Sequence, residues 1–197
     1  MFDDGAPAPA APTDLLFFAL QLETAAARQT ADLAARLRTQ YGLKGKLLPP
    51  ERLHITLYFL GGFPGVPQDL VDSACNALAT FHEPSFDVCL DRVLSFRGKS
   101  NRPVVLVGGD SLAPLHQFQG RLRSALLRAN LPNPEKKATF TPHVTLLRDD
   151  QEVPEQRIEP VRWKAREFVL VRSLFGRSQH QALARFPLDE RSWESEG

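Results

Sequence analysis

The chain has 197 residues, 43% hydrophobic and 24% charged, with a formal net charge of +1. That is enough apolar material for one compact domain or two fused lobes around a full core. A near-neutral balance excludes a protein that coats nucleic acid by bulk electrostatics, and no apolar run approaches the roughly 18 residues of a membrane span.

At the start, residues 1–13 carry Asp3 and Asp4 where a signal peptide would be basic, then alternate Ala and Pro. They read as a disordered tail ahead of a single domain at 14–197. The two cysteines, Cys75 and Cys89, have no paired spacing and fit buried thiols in a reducing compartment, so the expected address is cytoplasmic. Residues 15–22 form a short apolar run that predicts a buried strand. Residues 24–41 follow with Leu33, Leu37 and Tyr41 on one helical face and Gly42 where a C-cap would sit. Residues 53–60 read as a strand stopped by Gly61 and Gly62. Residues 68–82 read as a helix with Leu70, Ala74, Leu78 and Phe81 or His82 on one face.

In the second half, residues 86–90 alternate at period two and 103–107 are a run of β-formers. Ser111 is placed to cap a helix reaching about Asn130, with Pro114 in its first turn. Leu115, Phe118, Leu122, Ala125 and Ala129 would face the core. Residues 139–148, 167–174 and 182–188 complete the strands of an α+β arrangement. Between positions 92 and 128 lie seven basic residues against one acid, Asp110. This reads either as a solvated face or as a landing site for a polyanion end.

Two strands share a pattern. His54-Ile-Thr-Leu57 and His143-Val-Thr-Leu146 lie 89 positions apart, nearly half the chain, as a duplicated unit would place them. On a strand the His and the Thr two positions later point the same way, while Ile55, Leu57, Val144 and Leu146 point into the core. One such motif is commonplace; two in a short chain with five histidines are not. The pair suits metal-free hydrolysis of a cyclic phosphodiester. Water attacks phosphorus in line while one imidazole takes its proton and another protonates the departing oxygen. Thr56 and Thr145 would donate hydrogen bonds to the non-bridging oxygens. The residues alone leave open which histidine is acid and which is base. No His-Glu-x-x-His pattern or glycine-rich phosphate loop is present, so no metal or other cofactor is expected.

The segments from His54 to Gly61 (HITLYFLG) and from Thr141 to Arg148 (TPHVTLLR) resemble the paired signatures of the two-histidine phosphoesterase superfamily. They are most similar to its RNA 2',3'-cyclic phosphodiesterase branch, formerly called 2'-5' RNA ligase. Residues 15–20 and 167–173 also resemble that branch. The resemblance implies a bilobal pseudo-twofold fold, with antiparallel sheets lining a central cleft and helices packed outside. It implies hydrolysis of a terminal 2',3'-cyclic phosphate to a 2'-phosphomonoester, with His54 as proton donor, His143 as proton acceptor and Arg148 as a substrate-binding residue. The expected partners are RNA ends or nucleotides bearing the cyclic phosphate, met by a monomer with no membrane attachment. Regular strand parity would turn Arg148 away from the cleft unless a bulge intervenes, and the equivalent position after the first motif is Phe59. Two departures stand out: Asp14 where the branch often has a basic residue, and His180 where it usually has tyrosine. Phe18 reads as core rather than as a base-stacking residue. Alternatives are a sister enzyme acting on 2'-5' oligoadenylate or ADP-ribose cyclic phosphate, and a non-catalytic RNA-end binding module.

Overall fold

The computed structural model describes residues 11–135, 139–174, 176 and 179–190. The first ten residues of the expected tail lie outside that set; at its other end, the Thr13 N–H donates to the Phe63 carbonyl at 2.9 Å. The described chain runs β1 (Asp14–Gln21), α1 (Thr24–Tyr41), β2 (His54–Phe63), α2 (Gln68–Leu78), β3 (Phe86–Ser95) and β4 (Arg102–Val107). It continues with α3 (Ala113–Arg128), β5 (His143–Asp149), β6 (Gln156–Ala165), β7 (Glu167–Leu174) and β8 (Gln179–Pro187). The strands form one antiparallel sheet in the order β6-β3-β4-β5-β2-β1-β7-β8.

That order has an internal symmetry. Counting outward from the centre, β5, β4, β3 and β6 mirror β2, β1, β7 and β8, and the units β1-α1-β2 and β4-α3-β5 correspond. Helices α1 and α3 each connect two adjacent antiparallel strands, and the halves meet where β2 pairs with β5 through Ile55 and Val144. The bilobal arrangement therefore holds, with its two sheets joined into one at the seam.

The helices stack on one face because their apolar stripes match the inward strand positions. Ala26, Leu33 and Leu37 of α1, Val71, Ala74 and Leu78 of α2, and Leu115, Phe118 and Leu122 of α3 share one core with Leu16, Phe18, Ile55, Leu57, Val144 and Leu146. Phe17, Ala19, Val169 and Val171 form a separate small cluster, alternating with the core residues of β1 and β7. Helix α1 ends as its sequence predicts. Gly42 sits at φ 63°, its N–H bonds to Thr39, and the next N–H, that of Leu43, reaches Arg38 at 2.9 Å, a Schellman closure with Leu43 buried.

Several boundaries differ from expectation. Strand β2 does not stop at Gly61: that residue adopts φ 138° beside a register shift, and pairing with β1 continues to Phe63. Helix α2 ends at Leu78, four residues early. No side chain caps α3, whose N-cap is Leu112 rather than Ser111. In α3 Leu126 is buried where Ala129 was expected, and Ala129 is exposed. Strand β6 has no counterpart in the sequence reading. It is an edge strand carrying Arg157, Glu159, Arg162 and Lys164, a composition that suits an unpaired edge. Val161, Trp163 and Ala165 are buried in alternation with Arg162 and Lys164, and Pro160 interrupts that alternation in the sequence.

Candidate active site at the seam of the two halves

The central pairing sets the two motifs against each other. Ile55 lies opposite Val144, so the same register carried one residue each way faces His54 with Thr145 and Thr56 with His143. Residues opposite one another in a sheet project to the same side. The two imidazoles and two hydroxyls thus share one face, each histidine across from the other motif's threonine. Their neighbours Ile55, Leu57, Val144 and Leu146 are at most 3% exposed on the helix side, and the four motif side chains are partly exposed.

Both rings are held in the same way. His54 Nδ1 lies 2.7 Å from the Arg52 carbonyl, and His143 Nδ1 lies 2.7 Å from the Thr141 carbonyl. A carbonyl only accepts, so each Nδ1 carries the hydrogen and each Nε2 is left for chemistry. The surroundings differ. His54 stacks on Phe17 at 5.1 Å between ring centroids and meets His180 edge-on at 5.2 Å. His143 meets only Phe96, edge-on at 4.8 Å, among the described aromatic contacts. Burial pulls the pKa of His54 below the usual histidine value, and the charges of Arg52 and His143 add to the effect. The bond to the Arg52 carbonyl opposes it.

Three residues past each histidine the strand bulges. The register steps from Ala19–Thr56 to Phe18–Tyr58, leaving Leu57 extra, and from Val105–Thr145 to Val104–Leu147, leaving Leu146 extra. The freed carbonyls are not wasted: Gln119 Nε2 donates to Leu57 at 3.1 Å, and the Leu48 N–H donates to Leu146 at 2.9 Å. Each bulge inverts parity, so Phe59 and Arg148 return to the side of their histidines. This removes the parity objection to Arg148. Its side chain nevertheless leans on the Asn101 carbonyl at 3.5 Å, lining a hollow with Lys44 and Asp149. A different cavity, about 510 Å³, is lined by His143, Thr56, Phe59, Phe96, Phe140 and Arg123 among others. The structure brings together His54, Thr56, His143 and Thr145 and leaves Arg148 apart.

His180, singled out as a departure, lies beside His54 and completes a cluster with Phe17, whose ring it meets at 5.6 Å. Arg52 Nη2 lies 3.3 Å from His180 Nε2, and since a guanidinium only donates, the imidazole accepts. Burial first, then the charges of His54 and Arg52, bring His180 to a pKa of about 4. The sequence reading missed Arg52 and Phe17. Strand alternation could have found Phe17, because Phe18, its neighbour, is fully buried against Phe168 and Phe186. The other departure, Asp14, is buried and bound to Arg172 on β7, whose hydrogen bond holds its carboxyl below the usual range.

Three of the seven basic residues between positions 92 and 128 are paired with acids. Arg92 pairs with Glu155, Arg102 with Glu152 and Arg121 with Glu83, acids supplied from outside the run. The free thiols of Cys75 and Cys89 are partly rather than fully buried. No helix among the described residues is long and apolar enough to cross a membrane.

The sequence model of the 2'-5' RNA ligase superfamily matches residues 23–177, which include both motifs. No curated protein matches the chain significantly. Among solved structures, LigT of E. coli in its apo form is 27% identical, with a TM-score of 0.69 over 90% of this chain and 99% of that one. The complex of LigT with 3'-AMP is 25% identical, with a TM-score of 0.67 over the same shares. TT0787 of Thermus thermophilus shares the fold at 23% identity and a TM-score of 0.68, over 88% of this chain and 97% of that one. A duplicated strand-helix-strand unit, two His-x-Thr strands meeting at its seam and a family match over most of the chain agree: this protein belongs to the 2'-5' RNA ligase superfamily, among the two-histidine phosphoesterases.

Proposed function

We propose that the protein is an RNA 2',3'-cyclic phosphodiesterase that opens a terminal cyclic phosphate to a 2'-phosphomonoester without a metal. The observation that carries this reading is the shared face of His54, Thr56, His143 and Thr145, with both Nδ1 atoms tied to backbone carbonyls. The two Nε2 atoms are then the ring nitrogens left free on that shared face. That geometry suits in-line displacement at phosphorus, which needs a base behind the attacking water and an acid behind the leaving oxygen. The resemblance assigns His143 to take the water's proton and His54 to protonate O3' as the P–O3' bond breaks. Water supplies the new P–O bond, and Thr56 and Thr145 donate to the non-bridging oxygens. In the free protein His54 favours its neutral form. A bound phosphate anion opposes that shift and favours the imidazolium a donor needs. LigT has been crystallised with 3'-AMP, a ribose with a phosphate at the corresponding edge, which supports a nucleotide end as the ligand here.

The test is to incubate the protein with 2',3'-cyclic nucleotides and cyclic-phosphate-ended RNA, with and without exhaustive EDTA, and assign products by phosphorus NMR. A 2'-phosphate formed equally in both arms is expected. A 3'-phosphate, or activity lost to EDTA and restored by a divalent ion, would overturn the reading.

A further inference from the structure

Beside His54, away from the cavity that His143 lines, a second hollow of about 510 Å³ is lined by Arg52, His180, Gln21, Gln179, Gln181 and Arg185 among others. Its charges are unevenly satisfied. Arg185 is bound to Glu167. Arg52 has no carboxylate at ion-pair distance among the described residues. The one hydrogen bond its guanidinium makes there is to a neutral imidazole, and its Nε is buried without a partner. Glu51 also lines the hollow and acts on Arg52 only through space. A half-buried cation that meets a histidine instead of an acid keeps its full charge for an incoming anion. Burial without an anion is a cost that such a ligand would relieve.

We infer that Arg52, braced by His180, binds the phosphate that precedes the cyclic phosphate in the RNA chain, and so sets a preference for ends carrying a 5'-phosphate over bare nucleosides. The inference rests on the phosphodiesterase reading above. A terminal cyclic phosphate has chain only on its 5' side, so the nearest further anion is that phosphate. Its receptor should lie next to the acid–base pair yet outside the space between the two histidines. Arg52 meets both conditions: His180, the residue it bonds, is 5.2 Å from His54 ring to ring, and its hollow excludes Thr56 and His143. A planar guanidinium is the side chain best shaped for two phosphate oxygens. The neutral His180 orients it without cancelling its charge, which a carboxylate would do.

The experiment compares kcat/KM for adenosine 2',3'-cyclic phosphate and its 5'-phosphorylated form in the wild type, Arg52→Gln, Arg52→Lys and His180→Leu. The wild type should favour the 5'-phosphorylated substrate on the order of tenfold, the worth of one charge-assisted hydrogen bond. Arg52→Gln should bring the ratio near one, Arg52→Lys should keep part of it, and His180→Leu should lower it less than Arg52→Gln does. A general loss of fold or of His54 chemistry would lower both substrates together and leave the ratio intact. A wild-type ratio near one, or one unchanged by Arg52→Gln, would overturn the assignment. If neither substrate is turned over, the phosphodiesterase reading fails by itself, and calorimetric titration with adenosine 5'-phosphate against adenosine decides the inference. A binding difference that disappears in Arg52→Gln supports it, and no difference in the wild type sinks it.

Discussion

Strands β2 and β5 carry nearly the same sequence signal, and the structure gives them different surroundings. Both fix their histidine through the carbonyl two residues upstream, and both bulge three residues downstream. On β2 the imidazole is wedged among Phe17, His180 and Arg52, while on β5 it meets Phe96. Five residues on, one strand presents Phe59 to the cavity and the other sends Arg148 towards Asn101. A duplicated motif fixes where two proton-transfer groups stand. What the rest of each half packs against them differs, and on β2 burial foremost lowers the pKa of His54.

The broadest way to break this comparison is to remove each histidine. His54→Ala and His143→Ala should each lower kcat/KM by about 10²–10⁴-fold in a folded protein, the usual contribution of a positioned acid or base. The double variant should lose less than the product of the two, since groups acting as a unit are not additive. Near-wild-type rates in either single variant, with melting unchanged, would show that the equivalence of the strands is structural only. Thr56→Val and Thr145→Val should cost less than either histidine, because neutral hydroxyl donors are weaker.

Dependence on pH sharpens the difference between the halves. The limb of the kcat/KM profile that disappears in His54→Ala should lie on the acid side of about 6.5, the ordinary histidine value. Burial foremost, with the charges of Arg52 and His143, keeps that ring neutral to lower pH. A limb at or above the ordinary value would mean that the packing around β2 does not tune its histidine.

Arg148→Ala tests the other asymmetry. A loss of a few-fold in kcat/KM with unchanged melting is expected, smaller than either histidine effect because the guanidinium lines a separate hollow. A loss as large as that of His143→Ala would show that Arg148 swings into the seam when substrate is bound.

The smallest effect is on stability. His180 ionises at about 4 in the folded protein against about 6.5 when exposed. Its contribution is therefore complete above pH 6.5 and is lost as pH falls towards 4, because only the unfolded chain takes up the proton in that window. Discounted for partial exposure, the loss should move Tm by roughly 2–4 °C, the scale of about 1 kcal/mol in a chain of this size. His180→Gln should flatten the Tm profile between pH 6.5 and 4; equal slopes would mean that the ring is as solvated as in the unfolded chain.

The sequence by itself determined the two histidine strands, the first helix with its glycine cap, and strand β7, because each is written in local periodicity or a local backbone requirement. It also determined that His180 and Asp14 depart from the family pattern. Only the tertiary structure decided what those departures do: Asp14 is a buried ion-pair partner, and His180 holds an arginine. Strand β6 alternates over Val161, Trp163 and Ala165, but Pro160 breaks the run and charged residues fill its outward positions, so its apolar signal is short. The bulges at Leu57 and Leu146, which set the direction of Phe59 and Arg148, arise from pairing with β1 and β4 and leave no mark in the motif. The meeting of Ile55 with Val144, on which the whole site depends, joins residues 89 positions apart. Long-range pairing of that kind follows from the packing of both halves on one core, and no local stretch of sequence encodes it.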